Sequence, residues 1–274
     1  MGSAAAIDIE SSDGLDVGAA SFSAAVDELR RLCADDLLAV NQCILDGMRS
    51  QAHLVPELAG HLVRAGGKRL RPMLTIAAAR LFGAADDRYV KLAAAVELIH
   101  GATLLHDDVV DASLLRRGVK TANVVWGNKE SVLVGDFIFS RAFELMVSAG
   151  DLKVLQILSS ASRVIAEGEV LQLSTQKNIS ATYEMYLSVI EAKTATLFAA
   201  AAQAGGVIAG CSAAAEESLR RFGEGLGVAF QLVDDALDYC GAERALGKSV
   251  GDDFREGKMT LPVIQALANA SPEE

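Results

Sequence analysis

The chain has 274 residues, of which 51% are hydrophobic, and its formal net charge is −11. This length suffices for one large domain or two small ones, while the acidic balance argues against nucleic acid and anionic membranes as main partners. Charged residues interrupt every apolar run before it reaches membrane-spanning length, and the missing signal-peptide regions make the cytoplasm the expected location.

Helices dominate the predicted elements. Residues 1–20 are small and polar and are expected to be a disordered or cloning-derived lead, and 21–274 are expected to form one domain. Only four prolines and abundant alanine and leucine favour long helices, and apolar spacing of three and four residues from Phe22 to Met48 predicts the first. A loop is expected at 111–127. Further helices are predicted near 56–64, after Pro72, and at 88–110, 129–148, 151–174, 181–205, 212–240 and 259–270, which together indicate a single all-α domain.

The glycines and cysteines inside these helices are interpreted as structural residues. Three glycines are spaced G-x-G-x-G within a predicted helix, without a preceding strand, so close helix packing is favoured over dinucleotide binding. The cysteines lack CxxC spacing and are interpreted as reduced core residues. The glycines are Gly223, Gly225 and Gly227, and the cysteines are Cys33, Cys43, Cys211 and Cys240.

Two D-D-x-x-D clusters end apolar helices, one beginning at Asp107 and the other at Asp234. In each, the first and last carboxylates lie about 40° apart around the helix, one turn from each other. Carboxylates at a helix C-terminus repel one another and oppose the helix dipole. A single cluster is equally consistent with a solvated helix end, but two copies favour a cation site. Ligand sets made only of oxygen suit Mg²⁺, which often bridges to phosphates.

Basic residues gather at points that could meet a phosphate. The run Gly66-Gly67-Lys68-Arg69-Leu70-Arg71-Pro72 opens with glycines beside a predicted helix start, where backbone N–H groups and positive charges can bind an anion. Lys193 lies within an apolar helix, where a lysine needs a partner. Any one of these residues, taken alone, could be an ordinary surface or core residue. No Ser/His/Asp or Cys/His arrangement suggests a side-chain nucleophile.

The chain resembles the trans-prenyltransferases, also called polyprenyl diphosphate synthases, from about Leu29 to its end. Around the first cluster it is most similar to bacterial octaprenyl and decaprenyl synthases, which make ubiquinone or menaquinone side chains. The resemblance implies an isoprenoid synthase fold: a bundle of long antiparallel helices around a deep central cavity. It rests on GGKRLRP at 66–72, HDDVVD at 106–111 followed by Arg116-Arg117-Gly118, KTATLF at 193–198, FQLVDDALD at 230–238 and GKSVGDDFREGKMTLPV at 247–263.

The resemblance also implies a homodimer that joins isopentenyl diphosphate to an allylic diphosphate with three Mg²⁺ per active site. Asp107, Asp111 and Asp234 would hold the metals, with Asp108, Asp235 and Asp238 in support. The residues implied for the allylic diphosphate are Lys193, Thr194, Gln231, Lys248, Lys258 and Arg116; those for isopentenyl diphosphate are Gly67, Lys68, Arg71, His100 and Arg117. Small residues at Ala102 and Thr103 would leave the tail tunnel open for a long product.

The resemblance leaves some points open. The chain ends soon after Leu261-Pro262, so C-terminal helices of the family are expected to be missing, and Glu169 and Gln172 stand where many short-chain relatives have Gln and Asp. A product of farnesyl or geranylgeranyl length, or a subunit of a heteromeric synthase, remains an alternative. A terpene cyclase is disfavoured by the GGKR segment, and a non-catalytic subunit by the two intact clusters.

Overall fold

The computed structural model describes residues 12–64, 67–240 and 251–270. Those residues form a helical domain, as the sequence predicts, and one small hairpin that it does not predict. The strands are β1 (Leu115–Arg116) and β2 (Val119–Lys120). The helices are α1 (Ser12–Leu32), α2 (Ala34–Gly47), α3 (Leu54–Arg64), α4 (Leu70–Leu81), α5 (Arg88–Val110), α6 (Ala122–Trp126), α7 (Asn128–Ser148), α8 (Leu152–Thr175), α9 (Tyr183–Ile190), a π-helical turn (Glu191–Ala195), α10 (Thr196–Ile208), α11 (Ala213–Cys240), α12 (Asp252–Arg255) and α13 (Leu261–Asn269).

The N-terminal region differs from the prediction at two points. Helix α1 begins at Ser12, inside the range assigned to the lead, whose first eleven residues lie outside the described part of the chain. The single helix predicted from Phe22 to Met48 is wrong, because the structure breaks it at Cys33. At this break, Arg80 of α4 donates to the Leu32 carbonyl at 2.6 Å, so a side chain from another helix serves the last carbonyl of α1.

Two other segments are more structured than predicted. The predicted loop 111–127 contains β1, β2 and α6. The strands pair antiparallel, and a turn through Arg117 (φ 54°) and Gly118 (φ 76°) joins them, as in two-residue hairpins with both central residues at positive φ. The helix predicted at 181–205 is interrupted by the π-helical turn, and a single inserted residue of this kind leaves no clear periodicity signal.

Helix α5 is the centre of the domain. It is buried nearly all round, including Ala94, Ile99 and Leu105, and packs against α2, α4, α7 and α10. Arg88, at its start, donates to the Ala149 carbonyl after α7 at 3.5 Å. His106, near its end, lies 3.3 Å from the Val132 carbonyl at the start of α7. The two helices are therefore antiparallel, and the C-terminal end of α5 carries the first aspartate cluster.

Glycines allow α11 to approach its neighbours closely. A Cβ on Gly223 would lie 2.5 Å from the Phe198 carbonyl oxygen, and one on Gly227 would lie 2.5 Å from the Ala195 Cα. Close packing is thus confirmed at both positions. Gly225 has no such neighbour within 4 Å, so the packing explanation is wrong there.

The cysteine prediction is confirmed in part. All four cysteines are free thiols, but Cys33 is fully buried and Cys240 is exposed, with Cys43 and Cys211 in between. Within the described ranges, no helix is both long enough and apolar enough to span a bilayer.

Candidate active site

A cavity of about 1200 Å³ runs through the middle of the bundle. This volume exceeds the usual range of roughly 300–1000 Å³ for small-molecule sites. Its wall includes polar side chains from the C-terminal ends of α5 and α11, and apolar side chains that include Ile138, Ile165, Phe198 and Phe230. The cavity can therefore accept a molecule with a charged head and a long apolar tail.

The first aspartate cluster divides its carboxylates between the cavity and the protein. Asp107 and Asp111 lie in the cavity wall, because positions four apart share a face of α5. Asp108 points away, is only 3% exposed, and accepts two hydrogen bonds from Arg116 at 3.0 and 2.7 Å. Asp108 therefore fixes Arg116, while Asp107 and Asp111 face any ligand.

Two lysines from other elements reach these carboxylates. Lys193 Nζ lies 2.8 Å from a Glu169 oxygen, 3.0 Å from the Gln172 side-chain oxygen and 3.7 Å from an Asp107 oxygen. Lys258 Nζ lies 2.9 Å from an Asp111 oxygen. These contacts locate Glu169 and Gln172, to which the sequence assigned no role, beside a lysine.

Burial and crowding alter the charges at this end of the cavity. Burial raises the pKa of Asp107 to about 7, with nearby Glu169 and Asp111 adding to the effect and Lys193 opposing it. Burial alone would lower the pKa of Lys258, but Asp111 and Glu256 raise it above its ordinary value. Lys258 therefore stays cationic, and Asp107 favours a cation that would stabilise its charged form.

The second cluster divides its carboxylates differently, because its third aspartate does not reach the cavity. Asp234 is exposed and lies in the cavity wall. Asp235 is 3% exposed and accepts hydrogen bonds from Tyr186 at 2.7 Å and Gln231 at 2.6 Å. Asp238 is fully buried and accepts the backbone N–H of Asp253 at 3.2 Å, so it lies in the packing between α11 and α12.

The π-helical turn brings Lys193 and Thr194 to the cavity. A Cβ on Gly168 of α8 would lie 2.9 Å from the Lys193 backbone nitrogen, so this glycine lets α8 pack directly against the turn. Thr194 donates to the Gln231 side-chain oxygen at 2.8 Å. Turns of this kind are frequent at functional sites.

A basic group lines the cavity beside the first cluster. Arg71 stacks 4.2 Å from the Phe198 ring centre, and burial lowers its pKa to about 10, which leaves it charged near neutral pH. Burial and the surrounding arginines hold the pKa of His100 well below its usual range, so its imidazole is neutral. A Cβ on Gly67 would lie 3.1 Å from Arg117. Lys68 completes the group.

Sequence reasoning missed two members of this wall. Glu97 forms an ion pair with Arg69, whose backbone is left-handed (φ 53°) at the start of α4. The detectable signal was a charged residue between Val96 and Leu98 in an apolar helix. Tyr186 had no sequence signal, because a tyrosine in an apolar helix is ordinary.

The residues predicted to control product length have different surroundings. Thr103 lies in the cavity wall, and its hydroxyl donates to the His100 carbonyl at 2.8 Å. Ala102 is fully buried in helix packing. Lys248, predicted to contact the allylic diphosphate, lies outside the described residues.

The donor set suits a hard cation shared with a ligand. Within the described ranges, no three metal-binding side chains converge on one point. Asp107, Asp111 and Asp234 instead present carboxylate oxygens around one cavity. Mg²⁺ is usually held by one or two carboxylates, with water and substrate phosphates completing its shell. The residues present therefore fit Mg²⁺ bound together with a diphosphate.

Fold and site together define an all-α protein of the isoprenoid synthase type, with a cavity suited to diphosphates that carry apolar chains. The polyprenyl synthetase family model matches residues 52–274, and the chain belongs to this family. It is 50% identical to an octaprenyl diphosphate synthase of Escherichia coli (strain K12), over 91% of this chain and 77% of that protein.

Solved structures agree with this assignment. A polyprenyl synthase from Caulobacter crescentus CB15, crystallised with calcium and isoprenyl diphosphate, is 59% identical with a TM-score of 0.89, over 91% of this chain and 76% of that one. A decaprenyl diphosphate synthase from Rhodobacter capsulatus is 53% identical with a TM-score of 0.86, over 90% of this chain and 77% of that one.

Proposed function

We propose that the chain is a Mg²⁺-dependent prenyltransferase that adds isopentenyl diphosphate head-to-tail to an allylic diphosphate and makes a long all-trans polyprenyl diphosphate, a precursor of quinone side chains. The observation that carries the proposal is the arrangement of one cavity. Carboxylates of both aspartate clusters, two partly buried lysines and a basic group line the same cavity as several apolar side chains. The names of the relatives support the same activity.

Asp107, Asp111 and Asp234 would hold the Mg²⁺ ions, three per active site. When bound, Mg²⁺ neutralises charge that develops on the departing diphosphate. Asp108 supports the first cluster through Arg116, and Asp235 supports the second.

Lys193 and Lys258 are the cationic side chains that would contact the allylic diphosphate. Their side chains are 22% and 18% exposed, so the surroundings weaken their attraction for an anion much less than bulk water would. Each is within reach of a carboxylate assigned to a metal, so both can contact a diphosphate bound there. Gln231, Thr194 and Arg116 complete this subsite among the described residues, and Lys248 is assigned to it by the family resemblance alone.

Isopentenyl diphosphate would bind at the basic group formed by Gly67, Lys68, Arg71, His100 and Arg117. Arg71 and Arg117 supply charge, and the Gly67 backbone can approach a phosphate closely. Neutral His100 can donate one hydrogen bond without adding a fourth positive charge to Lys68, Arg71 and Arg117.

The chemistry then requires no side-chain nucleophile. The allylic C–O bond ionises, the double bond of isopentenyl diphosphate attacks the cation, and the released pyrophosphate accepts the proton that leaves. Phe198, Phe230 and Ile165 line the interior and keep water from the cation.

A long product is favoured because the small Thr103 lies in the cavity wall, and the small Ala102 beside it is buried in helix packing. A farnesyl- or geranylgeranyl-length product, or a role as one subunit of a heteromeric synthase, is the alternative. We also infer a homodimer. Apolar side chains on α6 and α7 are exposed, with Val125 at 47% and Leu133 at 67%, and a second copy could cover them.

Pyrophosphate release tests the proposal and separates it from its rivals. The purified chain is mixed with farnesyl diphosphate and Mg²⁺, with and without isopentenyl diphosphate. The proposal expects release that needs both substrates and stops with a chelator. Release from farnesyl diphosphate alone would indicate a cyclase, and no release under any condition would indicate a non-catalytic subunit.

A further inference from the structure

Tyr186 is a buried tyrosine at the edge of the cavity, and its hydroxyl donates a hydrogen bond to the second aspartate cluster. Its side chain comes from α9 and packs with Ile190 and Ile264, and the residue is 5% exposed. The hydroxyl donates to Asp235 Oδ2 at 2.7 Å, and the Gln231 side-chain amide donates to the other oxygen, Oδ1, at 2.6 Å. Both oxygens of a buried carboxylate are therefore held by side chains.

These bonds also orient the Gln231 amide. A carboxylate only accepts hydrogen bonds, so the nitrogen of Gln231 must face Asp235. The oxygen of Gln231 then faces Thr194, whose hydroxyl donates to it at 2.8 Å. Three hydrogen bonds thus run from Tyr186 to Thr194 and join α9, α11 and the π-helical turn.

The consequence concerns Asp234, the neighbour of Asp235 and the exposed carboxylate of this cluster. While Asp235 is held, the last turns of α11 cannot rotate without breaking two bonds in a buried place. Loss of the hydroxyl leaves Oδ2 without that donor, and buried acceptors are strongly driven to find another one. Any such movement displaces Gln231, Thr194 and Asp234 together.

We propose that Tyr186 is a positioning residue: through Asp235 and Gln231 it sets the geometry with which the second cluster receives the allylic diphosphate and its Mg²⁺. This rests on the proposed function, because that function supplies the ligand. Tyr186 itself need not touch the substrate. The affinity for isopentenyl diphosphate, which would bind at the separate basic group, should not depend on the Tyr186 hydroxyl.

The test is Tyr186→Phe, which keeps the ring and its packing and removes only the hydroxyl. Calorimetry measures binding of farnesyl thiodiphosphate, an allylic analogue that resists ionisation, in the presence of Mg²⁺. Changes to groups that orient metal ligands typically weaken metal affinity or activity about 10- to 100-fold, so the dissociation constant should rise roughly tenfold. That of isopentenyl diphosphate should stay within about twofold.

Tyr183→Phe is the matched control. Tyr183 lies on the same helix, is 44% exposed, and loses the same atom, so both dissociation constants should match wild type. A double-mutant cycle with Asp235→Asn adds a second readout. If Tyr186 acts through Asp235, Tyr186→Phe should have little further effect in the Asp235→Asn background.

Three results would overturn the inference. Tyr186→Phe could bind the analogue like wild type, weaken both ligands equally, or add its full effect to that of Asp235→Asn. If the Phe variant does not fold, p-aminophenylalanine at Tyr186 carries the test, since its weaker donor should still weaken the analogue and spare isopentenyl diphosphate. Failure of wild type to bind isopentenyl diphosphate would instead contradict the proposed function.

Discussion

Lys193→Met should slow the chemical step far more than it weakens substrate binding. The substitution keeps the length of the side chain and removes its charge. Lys193 Nζ is 3.7 Å from Asp107, so a diphosphate bound at the first cluster would lie within direct reach of it. The departing diphosphate gains charge in the transition state, and a fixed cation there stabilises the transition state more than the bound substrate.

The magnitude follows from distance and burial. Two unit charges about 4 Å apart at an effective dielectric constant near 20 attract by about 4 kcal/mol. Glu169, 2.8 Å from Lys193, neutralises part of that charge. Removal of one preorganised electrostatic group typically raises a barrier by about 2.7–4 kcal/mol. We therefore expect the lower end, a loss of about a hundredfold in rate.

Single-turnover kinetics with saturating substrates measure this step directly. Lys153→Met is the control, because Lys153 of α8 also pairs with a glutamate, Glu216 of α11, but is 56% exposed and does not line the cavity. It should react at the wild-type rate. Adding Glu169→Gln to Lys193→Met should recover part of the loss, since an unpaired carboxylate then no longer repels the diphosphate. A variant whose Michaelis constant alone rises would refute the reasoning, because Lys193 would then contribute uniform binding.

Four further predictions concern the metal clusters, their pH dependence and the tail. Asp107→Ala and Asp234→Ala should each lower turnover by orders of magnitude while the unfolding temperature stays near that of wild type. The control Asp136→Ala, at an exposed position on α7, should remain active. A near-normal rate in either cluster variant at saturating Mg²⁺ would exclude the metal-binding role of that aspartate. Because the pKa of Asp107 is raised to about 7, its proton competes with Mg²⁺ below that pH. The Mg²⁺ concentration that gives half-maximal activity in steady-state assays should therefore fall from pH 6 to pH 8. A concentration that does not change with pH would argue against Asp107 as a Mg²⁺ ligand. Because the folded state holds this proton more tightly than the unfolded chain, stability should fall as pH rises from about 4 to about 7, which calorimetric melting without metal would detect. Ala102→Tyr should shorten the products but leave the first condensation intact. Thr103→Phe, at a position in the cavity wall, should shorten them with less repacking of the helices. Product chromatograms unchanged in both variants would mean that other residues form the end of the tunnel.

Long elements were predictable because apolar periodicity is a local property. The helix predicted at 88–110 matches α5 (Arg88–Val110), and the one predicted at 212–240 nearly matches α11 (Ala213–Cys240). The break at Cys33 was not predictable, because it depends on Arg80, which reaches the Leu32 carbonyl from another helix. The π-helical turn likewise depends on how closely α8 can approach at Gly168.

Residue types were predictable at the site, but their partners were not. Sequence spacing predicted that Asp107 and Asp111 share a face, and the structure places both in the cavity wall. Spacing could not distinguish the second aspartates, Asp108 and Asp235, whose burial depends on donors from other elements. Tyr186 went unnoticed for the same reason, since its hydroxyl acquires meaning only when α9 packs against α11.

The length of the product tests the central proposal most directly. Wild-type chain is incubated with farnesyl diphosphate, radiolabelled isopentenyl diphosphate and Mg²⁺, and the products are dephosphorylated and separated by reversed-phase chromatography against polyprenol standards. Label is expected in alcohols of heptaprenyl length or longer, and none of it should form without Mg²⁺. Label that stops at geranylgeraniol would contradict the long-chain assignment, and label that never enters a prenyl alcohol would contradict chain elongation itself.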